Sequence, residues 1–509
     1  MTRAIPAALD SVRGQRAFLA VVTLAVLVFA VLAARWRPLW YDELFTLYVA
    51  GEPSVADTVR ALLAGADTNP PLDYLLRHLS LAWFGTSPEA FRWPSAAAFV
   101  AGLLAIYAYV RRRAPFLASA AAFLLPIGTA AVYYSYEGRA YALLFASAAI
   151  ALWAWQVAVD QPRRPWRSVL LFAALCLGPY SHYYGVLNLV PVAAGEAWRS
   201  YRRRRMDGWI AVPLAGACVA MLGLLPFART AQAMQGSFWA SGYAAADLLE
   251  HYRGFLAYGG APLLVVLAAV VLVAVTAHRR APAAVPAQVP SHEVVAAVVL
   301  ALTPAWAYLL AELVTGTLTS KYSIAMVAGV AIVAGQLLAR AAAWWRTGTA
   351  ILVAVLALVA VGQHVRSALA YRAQEPVPAE LRRVLQAAPG PIAFDSPHQF
   401  LELVHYAPQL AAGRFVYPMD AATALEVRGF NNDEIALRRL ARIRPLALAD
   451  YREFTQRYPR FTVVFSERFW PGLVRALQRD GFCLAEMTRT GTTRVLRAVP
   501  GCRPVAPRP

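Results

Sequence analysis

Lysine is almost missing from this 509-residue chain. Lys321 is the single lysine among 48 basic residues, and arginine supplies all the others. Charge of either sign is scarce, at 15% of residues, where soluble domains carry roughly a quarter. With 59% hydrophobic residues, this scarcity excludes an ordinary soluble globule and points to a membrane protein. There are only four cysteines, too few for a disulfide-built scaffold. No P-loop, dinucleotide fingerprint or Ser-His-Asp signature occurs, and no His/Cys cluster has metal-ligand spacing. No internal repeat is visible, which gives no support to an inverted-repeat transporter. The net charge of +19 sits in short arginine groups between apolar runs rather than in a continuous basic arm, so nucleic acid is not expected as a partner.

A helix needs about 20 apolar residues to cross the hydrocarbon, and on that criterion the chain holds about eleven spans. They fall near 17–35, 92–110, 115–133, 140–158, 167–182, 184–198, 209–227, 261–277, 293–314, 323–340 and 348–365. Connections between alternate spans hold Arg111 to Arg113, then Arg163, Arg164 and Arg167, then Arg202 to Arg205, Arg279 and Arg280, and Arg340 and Arg346. Arg3, Arg13 and Arg16 precede the first span. The positive-inside rule places all of these, and the N-terminus, in the cytoplasm. Asp42, Glu43, the Glu137 loop, Lys321 and everything after about residue 370 then lie outside.

Two outer segments have helical apolar spacing. Ser54 to Ala64 carries Ser54 and Asp57 at capping-box spacing, and Pro71 to Trp83 sets its leucines on one face and Asp73 and Arg77 on the other. Each is about a dozen residues long, which suits helices lying in the interface. The Arg279–Glu293 stretch reads as a Pro/Ala linker. From 371 the chain becomes more polar, with a helical start at Ala379–Ala388 and strand-like runs at Pro391–Phe394, Phe461–Phe465, Cys483–Met487 and Thr493–Ala498. The expected organisation is therefore a transmembrane catalytic domain over 1–370 and a soluble α/β domain over 371–509. Cys483 and Cys502 could pair there.

Polar groups gather at the outer ends of separate spans: Asp42 and Glu43, Asn69, Glu137 and Arg139, His182, and Lys321. Ionisable groups at membrane depth are costly and usually face a cavity or one another. Each also has a purely structural reading. Asp42 could cap a helix, Arg139 and Lys321 could snorkel to the interface, and the tyrosines could form an aromatic belt.

An Asp-Glu pair just after the first span, then NPPLDYLL, then EGRAY heading the fourth span, then HYYG, then SKY opening a late span, resembles the multi-spanning GT-C glycosyltransferases. The likeness is to bacterial relatives of the dolichyl-phosphate-mannose protein mannosyltransferases and of the aminoarabinose transferases, over about residues 17–365. This chain has Asn69 where many relatives have His, and Lys321 where Arg is common.

The resemblance implies transfer of a sugar, with inversion, from a polyprenyl-phosphate carrier to a lipid, polysaccharide or protein acceptor on the outer face of the bacterial plasma membrane. Asp42 is then the expected general base, with Glu43 beside it. Arg139 and Lys321 would bind the carrier phosphate, with Glu137, Tyr141, His182, Tyr322 and Asn69 as further substrate-binding residues. No cofactor is implied, and Asp42 and Glu43 have no evident third ligand that would make a metal site. The rival reading is a transporter or flippase of a lipid-linked saccharide.

Overall fold

A computed structural model describes residues 11–161, 164–233, 243–257, 265, 268–273, 275–276 and 289–502. Most of the span expected over 261–277 and most of the linker expected over 279–293 lie outside these residues. The chain divides into two compact units. The first draws on described residues within 1–37, 69–225 and 242–372, and the second on those within 38–68, 226–241 and 373–509.

The first unit is a bundle of apolar helices. Among the described residues of the chain, six helices are long and apolar enough to cross a membrane, and eight if each of two bent helix pairs counts as one span. Val12–Trp36, Pro88–Arg111 and Tyr141–Asp160 are among them. Tyr141–Asp160 is apolar on all sides and almost wholly buried, as a central helix should be. Its Phe145 stacks on Phe99 of Pro88–Arg111, with ring centroids 5.1 Å apart. The segment expected to span 184–198 is a 3-10 stretch, Tyr183–Asn188, followed by the helix Leu189–Arg203.

Polar groups inside this unit are matched to one another. Glu293, fully buried in the first turn of Ser291–Ala301, accepts from Arg113 at 2.7 Å and from Gln156 Nε2 at 2.9 Å. Arg92 donates to the carbonyls of Ala34 and Arg37, both at 2.7 Å, and so satisfies the last turn of Val12–Trp36. The helix Leu72–Phe84 inverts the amphipathic pattern of a soluble helix: Asp73 and Arg77 are buried while Leu79 is exposed. In lipid the polar face is the one that must turn inward, because hydrocarbon offers it no hydrogen bond.

The second unit contains a five-stranded sheet built from β1 (Ile392–Phe394), β2 (Phe415–Val416), β3 (Phe461–Ser466), β4 (Phe482–Thr490) and β5 (Thr493–Pro500). The order is β2-β1-β3-β5-β4. β1 runs parallel to β2 and β3, while β5 is antiparallel to both β3 and β4. A disulfide joins Cys483 to Cys502.

Two early helices belong to this same unit, Tyr41–Ala50 and Val55–Leu63. Ser54 caps the second, its hydroxyl accepting from Asp57 N–H at 3.1 Å. The first packs along Pro397–Tyr406. There Tyr41 stacks on His398 with centroids 4.0 Å apart, Tyr48 Oη lies 3.1 Å from His405 Nδ1, and the Leu39 N–H donates to Tyr406 Oη.

Candidate functional site

In the first unit, the EGR motif sits between the 3-10 stretch Ala130–Tyr136 and the helix Tyr141–Asp160. Its backbone is held from below by a buried ion pair. Arg77 Nε and Nη2 donate to the two Asp73 oxygens at 2.9 and 2.8 Å. The same guanidinium donates to Phe91 O at 2.8 Å, Ser95 Oγ at 2.8 Å and Arg139 O at 3.1 Å. Ser95 Oγ in turn donates to Glu137 O at 2.6 Å, and the Arg139 N–H closes the turn onto the same carbonyl at 2.9 Å. Gly138 is obligatory here, since a Cβ would lie 2.1 Å from the Phe91 ring. The Glu137 carboxylate is buried 4.0 Å from Arg37 Nη2, and Arg37 also donates to Tyr133 Oη.

Beside this turn, His182, Tyr141, Tyr184, Tyr322 and Lys321 form one aromatic and cationic group. Lys321 Nζ stands over the Tyr141 ring, 5.2 Å from its centroid. His182 lies 4.9 Å from Tyr322 and 5.6 Å from Tyr141 between ring centroids. Tyr184 lies 4.6 Å from Tyr322.

Arg139 and Lys321 are both close enough for their charges to act on the buried His182 ring. His182 Nδ1 accepts the Tyr184 N–H at 3.2 Å, which leaves the ring proton to Nε2. The HYYG glycine has its own reason: a Cβ on Gly185 would lie 2.0 Å from the Gly178 carbonyl carbon. Asn69 is half-buried in the segment leading to Leu72–Phe84.

Of the expected site residues, Arg139, Tyr141, His182, Lys321 and Tyr322 thus come together, with Glu137 in the adjoining turn. The sequence reading noted Asp73 and Arg77 only as the polar face of an interfacial helix and did not connect them to EGR. An Asp/Arg pair four apart in a leucine-rich helix was the available signal.

Asp42 and Glu43 belong to the second unit. Glu43 is fully buried and reaches back to the Trp40 N–H at 3.4 Å, which satisfies a free donor at the start of Tyr41–Ala50. Asp42 is half-buried, and its carbonyl accepts from Thr46 Oγ1 at 3.3 Å.

A buried acidic group that the sequence reading missed lies in the same unit. Burial, with Glu434 and Asp42 adding like charge, pushes Asp433 up to about 7. Its Oδ2 is 3.9 Å from His398 Nε2. Glu434 pairs with Arg428 at 2.5 Å and accepts from Tyr417 Oη. At the carboxyl end of β1, burial pushes Asp395 up to about 6, although the Gly472 and Val474 N–H groups donate to it at 3.1 and 2.8 Å. Only the NNDE and FDSPH runs mark these carboxylates in sequence, and neither has a distinctive spacing. Among the described residues, no group of three or more His, Cys, Asp or Glu is arranged to hold a metal ion.

The sequence profile of the family described as dolichyl-phosphate-mannose-protein mannosyltransferase matches residues 68–229, which contain the EGR and HYYG motifs. No curated protein matches the chain. Among solved structures, ArnT from Cupriavidus metallidurans in the apo state aligns with a TM-score of 0.59 at 13% identity, covering 95% of this chain and 98% of that one. The same protein bound to undecaprenyl phosphate aligns with a TM-score of 0.57 at 13% identity, covering 96% and 98%. The chain is a multi-pass membrane protein with the GT-C fold.

Proposed function

We propose that this GT-C-fold chain is a glycosyltransferase that moves a sugar, with inversion, from a polyprenyl-phosphate carrier to an acceptor on the outer face of a bacterial plasma membrane. The reading includes about eleven spans, a cytoplasmic N-terminus and an outward-facing C-terminal sheet.

One observation carries the proposal. Lys321 stands over Tyr141 beside the buried His182, Tyr184 and Tyr322, with Arg139 in the turn that leads into Tyr141, in a fold shared with a protein described as bound to undecaprenyl phosphate. Two cations in a partly dry, aromatic setting suit the headgroup of a lipid phosphate. In water such contacts would be worth far less. The phosphate is also the leaving group, so cations that hold it stabilise the charge growing on it in the transition state and take the place of a general acid. His182, an acceptor at Nδ1, has its Nε2–H left to donate to a phosphate oxygen.

The acceptor hydroxyl or amine needs a base. Asp42 is the better candidate of the two adjacent carboxylates, because Glu43 is buried and engaged in capping its own helix. Both the Asp42 helix and the Lys321 segment fall on the outer side by the arginine distribution.

The rival transporter would be expected to bury charges near the middle of the bilayer, whereas these stand at helix ends. The test is purified protein incubated with a panel of polyprenyl-phosphate sugars, with release of free carrier measured. The Asp42→Asn variant should insert, bind carrier and release none. Full turnover by that variant would refute Asp42 as the base, and no release from any donor by the unaltered protein would favour transport.

A further inference from the structure

Far from the Lys321 group in the chain, two helices of the first unit leave a groove between them. Pro165–Ser181 and Gly208–Ala220 pack together, and Ser168 Oγ clasps Trp209 O at 2.9 Å. The groove encloses about 900 Å³, within the range of small-molecule sites. Its wall is apolar, with Val169, Phe172, Trp209 and Val212 all exposed. One end carries Arg203 and Arg205.

Neither arginine has a carboxylate partner among the described residues. The one acid in the lining, Asp207, is already occupied: Oδ2 accepts from Arg199 at 2.9 Å and Oδ1 from the Trp209 N–H at 3.2 Å. Both helices begin directly after the arginine groups that mark the cytoplasmic side.

We propose that this groove binds an anionic phospholipid of the cytoplasmic leaflet. One acyl chain lies along Val169, Phe172 and Val212, and the headgroup phosphate is held by Arg203 and Arg205. An exposed apolar wall lined together with two guanidinium groups that no carboxylate among the described residues compensates matches a molecule with a long chain and a phosphate. It matches neither a neutral lipid nor a free anion alone. Basic pockets between membrane helices on the cytoplasmic side select such headgroups. The site does not depend on the catalytic reading, since it shares no residue with it.

The test uses the full-length protein in nanodiscs or detergent, titrated with phosphatidylglycerol and, separately, with phosphatidylcholine of the same chains. Retention is read by native mass spectrometry. Arg203→Ala with Arg205→Ala should weaken phosphatidylglycerol by about 25-fold, from about a factor of five for each surface arginine, and leave phosphatidylcholine unchanged. Val212→Trp, which fills the groove without touching charge and stands at an exposed position, should also release phosphatidylglycerol. Inorganic phosphate at millimolar concentration should not compete. Equal binding of the two lipids, full competition by phosphate, or unchanged phosphatidylglycerol retention in the Val212→Trp variant would each overturn the proposal.

Discussion

Arg77 offers the sharpest test of how the EGR turn is built. Its guanidinium makes five hydrogen bonds, two to Asp73 and one each to Phe91 O, Ser95 Oγ and Arg139 O. Neither Arg77 nor Asp73 is exposed to any useful degree, at 0% and 2%. Replacing Arg77 by Met therefore leaves the Asp73 carboxylate charged and dry, a loss of about 3–5 kcal/mol for breaking a buried pair from one side. Replacing both, as Asp73→Leu with Arg77→Met, removes the stranded charge and restores most of that loss. It still leaves the Arg139 carbonyl without its Arg77 donor, at about 1–3 kcal/mol.

The double variant should thus be more stable than Arg77→Met alone, with a coupling energy of about 2 kcal/mol or more across the cycle. Carrier binding should remain impaired in both, because each frees the backbone of Arg139. Thermal unfolding of the four proteins in one detergent, together with carrier affinity, measures this. Additive losses in the cycle, or wild-type affinity in the double variant, would refute the idea that this pair supports the turn.

Lys321→Ala should weaken binding of the phosphate carrier by about tenfold or more, as expected for losing one charge-assisted contact; unchanged affinity by titration would move that role elsewhere. Gly138→Ala drives a methyl into the Phe91 ring, so about 1–3 kcal/mol of stability should go with it, read as a lower melting temperature with reduced transfer. Asp433 predicts a pH effect of definite sign. Its native form keeps a proton that the unfolded chain releases above about 4, so stability should fall as pH rises from there to about 7 and then level off. Asp395 contributes with the same sign up to about 6. Asp433→Asn should therefore flatten the fall of melting temperature between about pH 4 and 7 and raise the melting temperature at pH 8; an unchanged slope in that window would contradict the assignment.

Much of the local structure was legible because it follows from short-range pattern. The run Val12–Trp36 is long and apolar enough to be a span on length alone. β1, β3, β4 and β5 stand where the alternating or β-branched runs were read, and β2, only two residues long, left no pattern to find. Cys483 and Cys502 could be suspected but not paired from sequence, since pairing needs the register of β4 against β5. The motifs EGR and HYYG could be recognised, yet the reasons for their glycines, the Phe91 ring and the Gly178 backbone, lie far away in the chain or across a helix break.

By itself the sequence determined that this is a membrane protein rich in spans and which polar residues stand near span ends. Those are statements about transfer between water and hydrocarbon, and each residue contributes to them independently of distant partners. Only the tertiary structure decided that Asp73 and Arg77 turn inward to hold the Arg139 turn, that Lys321 stands over Tyr141, and that Asp42 shares a unit with the buried Asp433. These arrangements depend on which groups from distant segments are brought within a few ångströms and which of them lose their water, and no local pattern encodes that.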